Sequence, residues 1–305
     1  MAFIYEKIKI RDREGLEILG YEGNAKKLTV PETIDGIPVI SIGKNAFTDK
    51  NKGLEEVRLP KNLYSIKAFS FYFCSDIRKI CLWDGVDDYY DGAIRTSTGI
   101  CDIEVEMTEG RYELLHRILE DSDRKLRILF SFPDHKLQLV FPDYNSHSIS
   151  DPRAQTFHIR IEGSGFSYRE CLRKSGIKIK EYDGLFNRAL SGNIPEEAIE
   201  IAVGRLKYPY ELSEEAAGIY REHLKKEFDR ALELSMKPKN EGWMGLFIKE
   251  EMLDEQSLDK ALKLVSERKL TELTGELMEY RCQHFQNENR GRQKLSLSGL
   301  DDFDF

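Results

Sequence analysis

Few side chains in this sequence could do covalent chemistry, and one combination has suitable types: Cys171 as nucleophile, His158 as base and Asp183 as orienting carboxylate. A thiol becomes a useful thiolate only beside a base or cation, so the three would have to meet in one pocket. Their setting argues otherwise. His158 is out of phase with Phe157, Ile159 and Ile161, as a solvent-facing strand residue is. Gly163-Ser164-Gly165 lacks both the GxGxxG pattern and a Walker lysine-serine, and reads as a loop. WDGVDDYYDG, Trp83 to Gly92, misses the alternating ligands and closing Glu of a calcium loop. It reads as an exposed acidic loop with its aromatics half-packed. Arg169, Arg173, Lys174, Lys178 and Lys180 form the one basic concentration, a solvated face or else a dock for an anionic partner. No cofactor or metal is expected.

The bulk properties point the same way. A hydrophobic fraction of 40% with 16 Phe and 14 Tyr specifies a folded chain of two or three domains across 305 residues. A net charge of −8 disfavours nucleic acid, which needs a clustered basic surface. Cys74, Cys81, Cys101, Cys171 and Cys282 are scattered, odd in number and without a CxxC pair, so neither a disulfide framework nor a structural zinc is expected. The first residues, MAFIYEKIKIRDREG, contain no apolar core of a signal peptide, and no stretch approaches 18 uncharged apolar residues. Membrane insertion is not expected. If Met1 is the native start the chain is cytoplasmic; a missing leader would instead favour a cell-surface adhesin.

The elements that must position any site begin with a repeat. SIGKNAFTDKNKGLEEVRLP, from Ser41, realigns on SIKAFSFYFCSDIRKICLW, from Ser65. Ser41-Ile42 falls on Ser65-Ile66 and Ala46-Phe47 on Ser70-Phe71. Leu54, Val57 and Leu59 fall on Ile77, Ile80 and Leu82. Leu28-Thr29-Val30-Pro31 is a partial earlier copy of Val57-Arg58-Leu59-Pro60. Such strands are too short to stand alone, so successive coils must stack and share an interior, with Phe47 and Phe71 as a ladder inside it.

Gly20-Tyr21-Glu22-Gly23, the run from Val30 to Phe47 and the copy from Ser65 to Leu82 resemble the leucine-rich repeats of the BspA type. The resemblance implies a β-solenoid with recognition surfaces and no active site. After Leu82 the repeat decays. Residues 100–181 then read as a β-rich module. Strands run through Ile103, Val105 and Met107, through Leu126 to Phe132, through Leu137 to Phe141 and through Phe157, Ile159 and Ile161. A helix is expected over Tyr112 to Glu120.

From Tyr182 the periodicity is helical. Pro195-Glu196-Glu197 opens one helix and Ser213 caps the next. Arg230–Glu250 aligns on Lys260–Tyr280, with Ala231 on Ala261, Leu232 on Leu262 and Trp243 on Leu273. The layout of helix, turn and helix resembles degenerate ankyrin repeats. Trp243 and Tyr280 read as core or cap residues. Gln286 to Phe305 loses the pattern and reads as a flexible acidic tail.

The expected fold is therefore α+β and multidomain. It comprises a leucine-rich-repeat β-solenoid over 1–99, a β-rich middle module over 100–181, an α-helical ankyrin-like stack over 182–285 and a tail over 286–305. The expected function is non-catalytic protein–protein interaction or scaffolding. On the solenoid Arg58 lies between Thr29 and Cys81 in the outward column, flanked by Glu56 and Lys79. Free of packing duty, Glu56, Arg58 and Lys79 are the candidate partner-binding residues. An enzyme centred on His158 and Cys171 is the alternative.

Overall fold

The computed structural model describes residues 2–48, 51–95, 97–151, 156–192 and 194–285, with backbone alone for 147–151 and 156–160. The chain divides into two compact units, Met1–Ala216 and Ala217–Phe305.

The first unit opens with an antiparallel hairpin, β1 (Ala2–Ile10) and β2 (Arg13–Glu22). A first coil follows through β3 (Lys27–Thr29), β4 (Thr33–Ile34), β5 (Ile37–Ile42) and β6 (Phe47–Thr48). The second coil runs through β7 (Glu56–Arg58), β8 (Ser65–Ile66) and β9 (Phe71–Tyr72), and the third through β10 (Lys79–Trp83) and β11 (Asp88–Tyr89). The fourth is β12 (Asp102–Glu106) and helix α1 (Glu113–Glu120). The chain then enters β13 (Leu126–Ser131) and turns back through β14 (Lys136–Phe141).

Two sheets result. β3, β7, β10, β12 and β13 stack in parallel in that order, and β14 closes the sheet antiparallel to β13. On the other side β5, β8 and β11 continue from β2. The alternation of each strand explains the stacking. Leu28, Val57, Ile80, Ile103, Ile128 and Leu139 occupy one register column, and all are buried. Leu82, Val105, Phe130 and Leu137 form a second. Ile18, Ile42, Ile66 and Tyr89 face them from the other sheet's register. Between these, Phe47 stacks on Phe71 with centroids 5.2 Å apart. No rung has enough apolar area to stand by itself, so each depends on its neighbours.

The ladder thus crosses residues 99–100 without a break, and the decay expected after Leu82 affects only part of the coil. Ile103 and Ile128 take the next two rungs of the same sheet. What the sequence loses is the turn side: Ala93-Ile94 stand where Ala46-Phe47 stood, and α1 replaces the turn strands of the fourth coil. Nor is Trp83–Gly92 an exposed acidic loop. Tyr89 is buried, and buried Asp84 accepts hydrogen bonds from the backbone N–H groups of Thr108, Glu109 and Arg111. It ties the third coil to the fourth.

β15 (Asn145–Asp151) and β16 (Thr156–Glu162) form a separate antiparallel hairpin. Helix α2 (Gly165–Arg169), the small hairpin β17 (Leu172–Arg173) and β18 (Gly176–Ile177), and helices α3 (Ile179–Gly184), α4 (Phe186–Leu190) and α5 (Pro195–Lys207) end the unit. They cap the solenoid. The Tyr182 hydroxyl donates to the Val140 carbonyl at 2.7 Å and accepts from its N–H at 2.8 Å, occupying the free backbone of the edge strand. Helix α5 packs against β14 so closely that a Cβ on Gly204 would lie 2.9 Å from Gln138 Nε2. Its Glu200 meets Lys125 at 3.0 Å, and Glu197 accepts from the Asp143 N–H at 3.1 Å.

In the second unit, α6 (Glu214–Lys226) begins just before the boundary, with Ser213 Oγ accepting from the Ala216 N–H as expected of a cap. Helices α7 (Phe228–Ser235) and α8 (Trp243–Lys249) form one pair, and α9 (Glu255–Glu267) and α10 (Thr271–His284) another. Ala231 and Ala261 are both wholly buried, as are most of Leu232 and Leu262. Trp243 is core, and buried Tyr280 donates to the Leu253 carbonyl. A helical C-terminal region is therefore present. The expected tail, residues 286–305, lies outside the described residues.

Candidate interaction surface

The catalytic candidates are not assembled for catalysis. Cys171 is buried, its thiol donates to the Ser167 carbonyl at 3.6 Å, and burial together with Glu181 pushes its pKa up to about 11. It stays protonated near neutrality, the opposite of an activated nucleophile. Asp183 is held bidentate by wholly buried Arg205, at 2.8 and 3.0 Å. His158 pairs through its backbone with Ile149, and its side chain lies outside the described residues.

Of the basic concentration, Arg173, Lys174 and Lys180 are exposed and Lys178 is half-exposed, as a solvated face requires, but Arg169 is not part of that face. Arg169 is buried and donates to the carbonyls of Ser122, Arg124, Pro142 and Gly165, while its guanidinium lies over the Tyr144 ring. A planar five-donor fork satisfies carbonyls that no strand continues to cover. On the exposed side, Lys174 pairs with Glu113 and Lys178 with Glu181.

The outward face of the solenoid sheet is the surface with regular geometry. Lys27, Glu56, Lys79, Asp102 and Arg127 lie abreast across five strands, alternating in charge. Thr29, Arg58, Cys81, Glu104 and Leu129 form the adjacent row. Glu104 binds Lys79 at 2.5 Å and lies 3.9 Å from Arg58; Lys27 meets Glu56 at 3.3 Å, and Arg127 meets Asp102 at 2.5 Å. Burial would raise the Glu104 carboxyl, but Lys79, Arg58 and Lys136 outweigh it and hold the group below its ordinary value. Burial pushes the Cys81 thiol up to about 12, so it acts as a donor to Glu56 and Glu104.

The three candidates therefore lie together, with Arg58 and Lys79 sharing Glu104. They are not free of packing duty as the sequence implies: Glu56, Lys79 and Arg58 expose only 21%, 34% and 38% of their side chains. Such half-exposed pairs contribute at most about 1 kcal/mol each. Their larger effect is to fix charged heads in a defined lattice. Asp102, Glu104 and Arg127 complete it and were missed in the sequence. The signal was available, because Lys79 to Asp102 repeats the 23-residue step from Glu56 to Lys79. Burial, with the charge of Glu104, raises the pKa of Tyr208, the residue just after α5, and Arg127 opposes the shift.

Residues 21–111 match the family model described as "BspA type Leucine rich repeat region", in six copies. The match runs past Leu82 through β12, in accord with the continuous sheet. Two solved leucine-rich repeat structures are similar to parts of the chain. One is a leucine rich cell surface protein from Faecalibacterium prausnitzii, with 20% identity over 43% of this chain and 41% of that one, at a TM-score of 0.29. The other is the Leucine Rich Repeat protein of T. pallidum, with 18% identity over 33% of this chain and 68% of that one, at a TM-score of 0.23. This chain thus spans less than half the length of the first. No curated protein sequence matches. Among the described residues no helix is long and apolar enough to cross a membrane.

Proposed function

We propose that this chain is a non-catalytic protein-binding protein whose leucine-rich repeat region engages its partner through the charged lattice of the solenoid sheet. One observation carries the reading. The outward side chains recur strand by strand in register, and their ion pairs hold the heads of Arg58, Lys79 and Glu104 in fixed positions before any partner arrives. Preorganised charged groups select partners by complementarity and lose little side-chain entropy on binding. Glu56, Arg58 and Lys79 are the proposed contact residues. The protonated thiols of Cys81 and Cys171 speak against an enzyme, because neither can serve as a nucleophile in place.

The second unit extends the proposal. Its two helix pairs, related by a 30-residue step through Ala231 and Ala261, support ankyrin-like hairpins that offer a further binding surface. The free thiols fit a reducing cytoplasmic location.

Affinity capture from the native cell tests the sheet face. The intact chain is compared with Arg58→Glu and Lys79→Glu, each checked by circular dichroism for an unchanged fold. Specific partners recovered with the parent chain are expected to be depleted about tenfold by either reversal. Identical recovery across all three proteins would remove this face from consideration.

A further inference from the structure

The turn side of the solenoid carries four exposed aromatic rings, Phe69, Tyr72, Phe73 and Tyr90, two of them on left-handed backbone. Asn45, Phe69 and Gly92 stack in successive coils, for the Asn45 N–H donates to the Phe69 carbonyl and the Phe69 N–H to the Gly92 carbonyl. All three are left-handed, with φ of 56°, 58° and 84°. Asn and Gly are the residues that tolerate this region, whereas a Cβ followed by a bulky ring costs about 1–2 kcal/mol there. Four residues on, Phe73 repeats the anomaly with φ of 53°. Two phenylalanines thus occupy strained turn positions side by side.

Neither contributes to the interior, which Phe47 and Phe71 already fill. Phe69 is 36% exposed, Tyr72 37%, Phe73 54% and, in the next coil, Tyr90 45%. The rings meet edge to face: Phe69 to Tyr72 at 5.7 Å and 84°, Tyr72 to Phe73 at 4.4 Å and 70°. Lys44 lies over the Phe69 ring at 5.8 Å, and Lys67 over Tyr90 at 4.7 Å. Neither lysine joins an ion pair among the described residues. Strain retained at exposed, non-core residues is the pattern of a functional constraint.

The chemistry of the patch narrows its occupant. Rings at steep mutual angles leave clefts for side chains and offer no flat platform for stacking a sugar. Two ammonium groups that lie over these rings, neither in an ion pair among the described residues, call for carboxylates at short range. The chain's overall negative charge is screened beyond about 8 Å at physiological salt, so the local lysines decide the sign. We propose that Phe69, Tyr72, Phe73 and Tyr90, with Lys44 and Lys67, form a second docking surface, for a peptide segment of a partner protein that carries acidic residues beside aromatic or aliphatic ones.

The test uses the full chain and a fluorescein-labelled peptide, DDFDFDDF, with KKFKFKKF as its charge-inverted control and phosphatidylserine vesicles as an anionic membrane. Saturable binding of the acidic peptide is expected, weakened about tenfold by Phe73→Asn and by Lys67→Glu. Because Asn accepts the left-handed turn, Phe73→Asn is expected to hold the melting temperature within about 2 °C. No saturable binding of the acidic peptide, equal binding of the basic one, or preference for vesicles overturns the proposal. So does a fall in melting temperature above about 5 °C for Phe73→Asn, since the ring would then be structural. Arg58→Glu serves as the internal reference and is expected to leave peptide binding unchanged. Loss of binding in that variant would place the peptide on the sheet face, leaving the proposed function intact and this inference refuted.

Discussion

Replacing Glu197 with Gln should stabilise the first unit at neutral pH and leave it unaltered near pH 4. Glu197 is 8% exposed on α5, against the chain leaving β14. Burial, opposed by its bond from the Asp143 N–H and aided by the Asp143 carboxylate, raises its pKa to about 7 from an ordinary 4.5. Lys125 attracts the charged form and Glu200 repels it, with Lys125 mainly engaged by Glu200. A carboxyl raised in this way holds its proton more tightly folded than unfolded. Below about pH 4.5 both states are protonated and nothing is lost. Between 4.5 and 7 the unfolded chain ionises first and stability falls; above 7 the full cost persists. A shift of this size corresponds to about 3 kcal/mol. Gln retains an oxygen to accept from Asp143, so most of that cost should be removed at pH 8. For a unit of this size the melting temperature would rise by about 5–10 °C. Thermal unfolding of parent and Glu197→Gln from pH 4 to 8 provides the check. A difference between the two that stays constant across that range would refute the reasoning, because a mere packing change has no pH dependence.

Two other outcomes follow from the fold and its thiols. A chain ending at residue 99 cuts the sheet between β10 and β12 and uncovers Ile80 and Leu82, whereas residues 1–216 keep every rung. Denaturant unfolding should be cooperative for the longer chain only, and a sharp reversible transition in the shorter one would contradict the shared core. Under iodoacetamide at pH 8, exposed Cys282 should be modified first, while Cys81 and Cys171 resist until the chain is unfolded. Mass mapping that finds Cys171 labelled as fast as Cys282 would revive a catalytic reading.

The solenoid was legible where sequence repeats on both sides of the coil. Val57 and Ile80 announce themselves because Ile42, Phe47, Ile66 and Phe71 recur with them. Ile103 and Ile128 carry only the sheet half of the pattern, so a search for whole copies stops too early, although the hydrogen-bonded register does not. The position of Arg58 between Thr29 and Cys81 could be read from spacing alone. Its partnership with Glu104, two strands away, depends on a coil whose turn side no longer repeats in the sequence. Arg169 was illegible for a different reason. Its neighbours in sequence are charged, and the carbonyls that bury it belong to Ser122, Arg124 and Pro142, fixed only when the last coil closes. The left-handed turns at Phe69 and Phe73 are equally silent, since a residue type cannot reveal a backbone conformation it disfavours.

The Tyr182 hydroxyl, bound to both backbone groups of Val140, limits the length of the solenoid stack as well as ending its sheet. A stack of equivalent rungs has no inherent terminus, and an open one would recruit the next strand it met, including that of another copy. With this stop fixed to β14, the sheet cannot grow past that strand at Val140. Duplication of one 23-residue coil between β7 and β10 would widen the charged lattice by a row while leaving both ends as they are. The fold thus separates the span of its charged face from the closure at β14, so that the face can change by whole increments while that stop is kept.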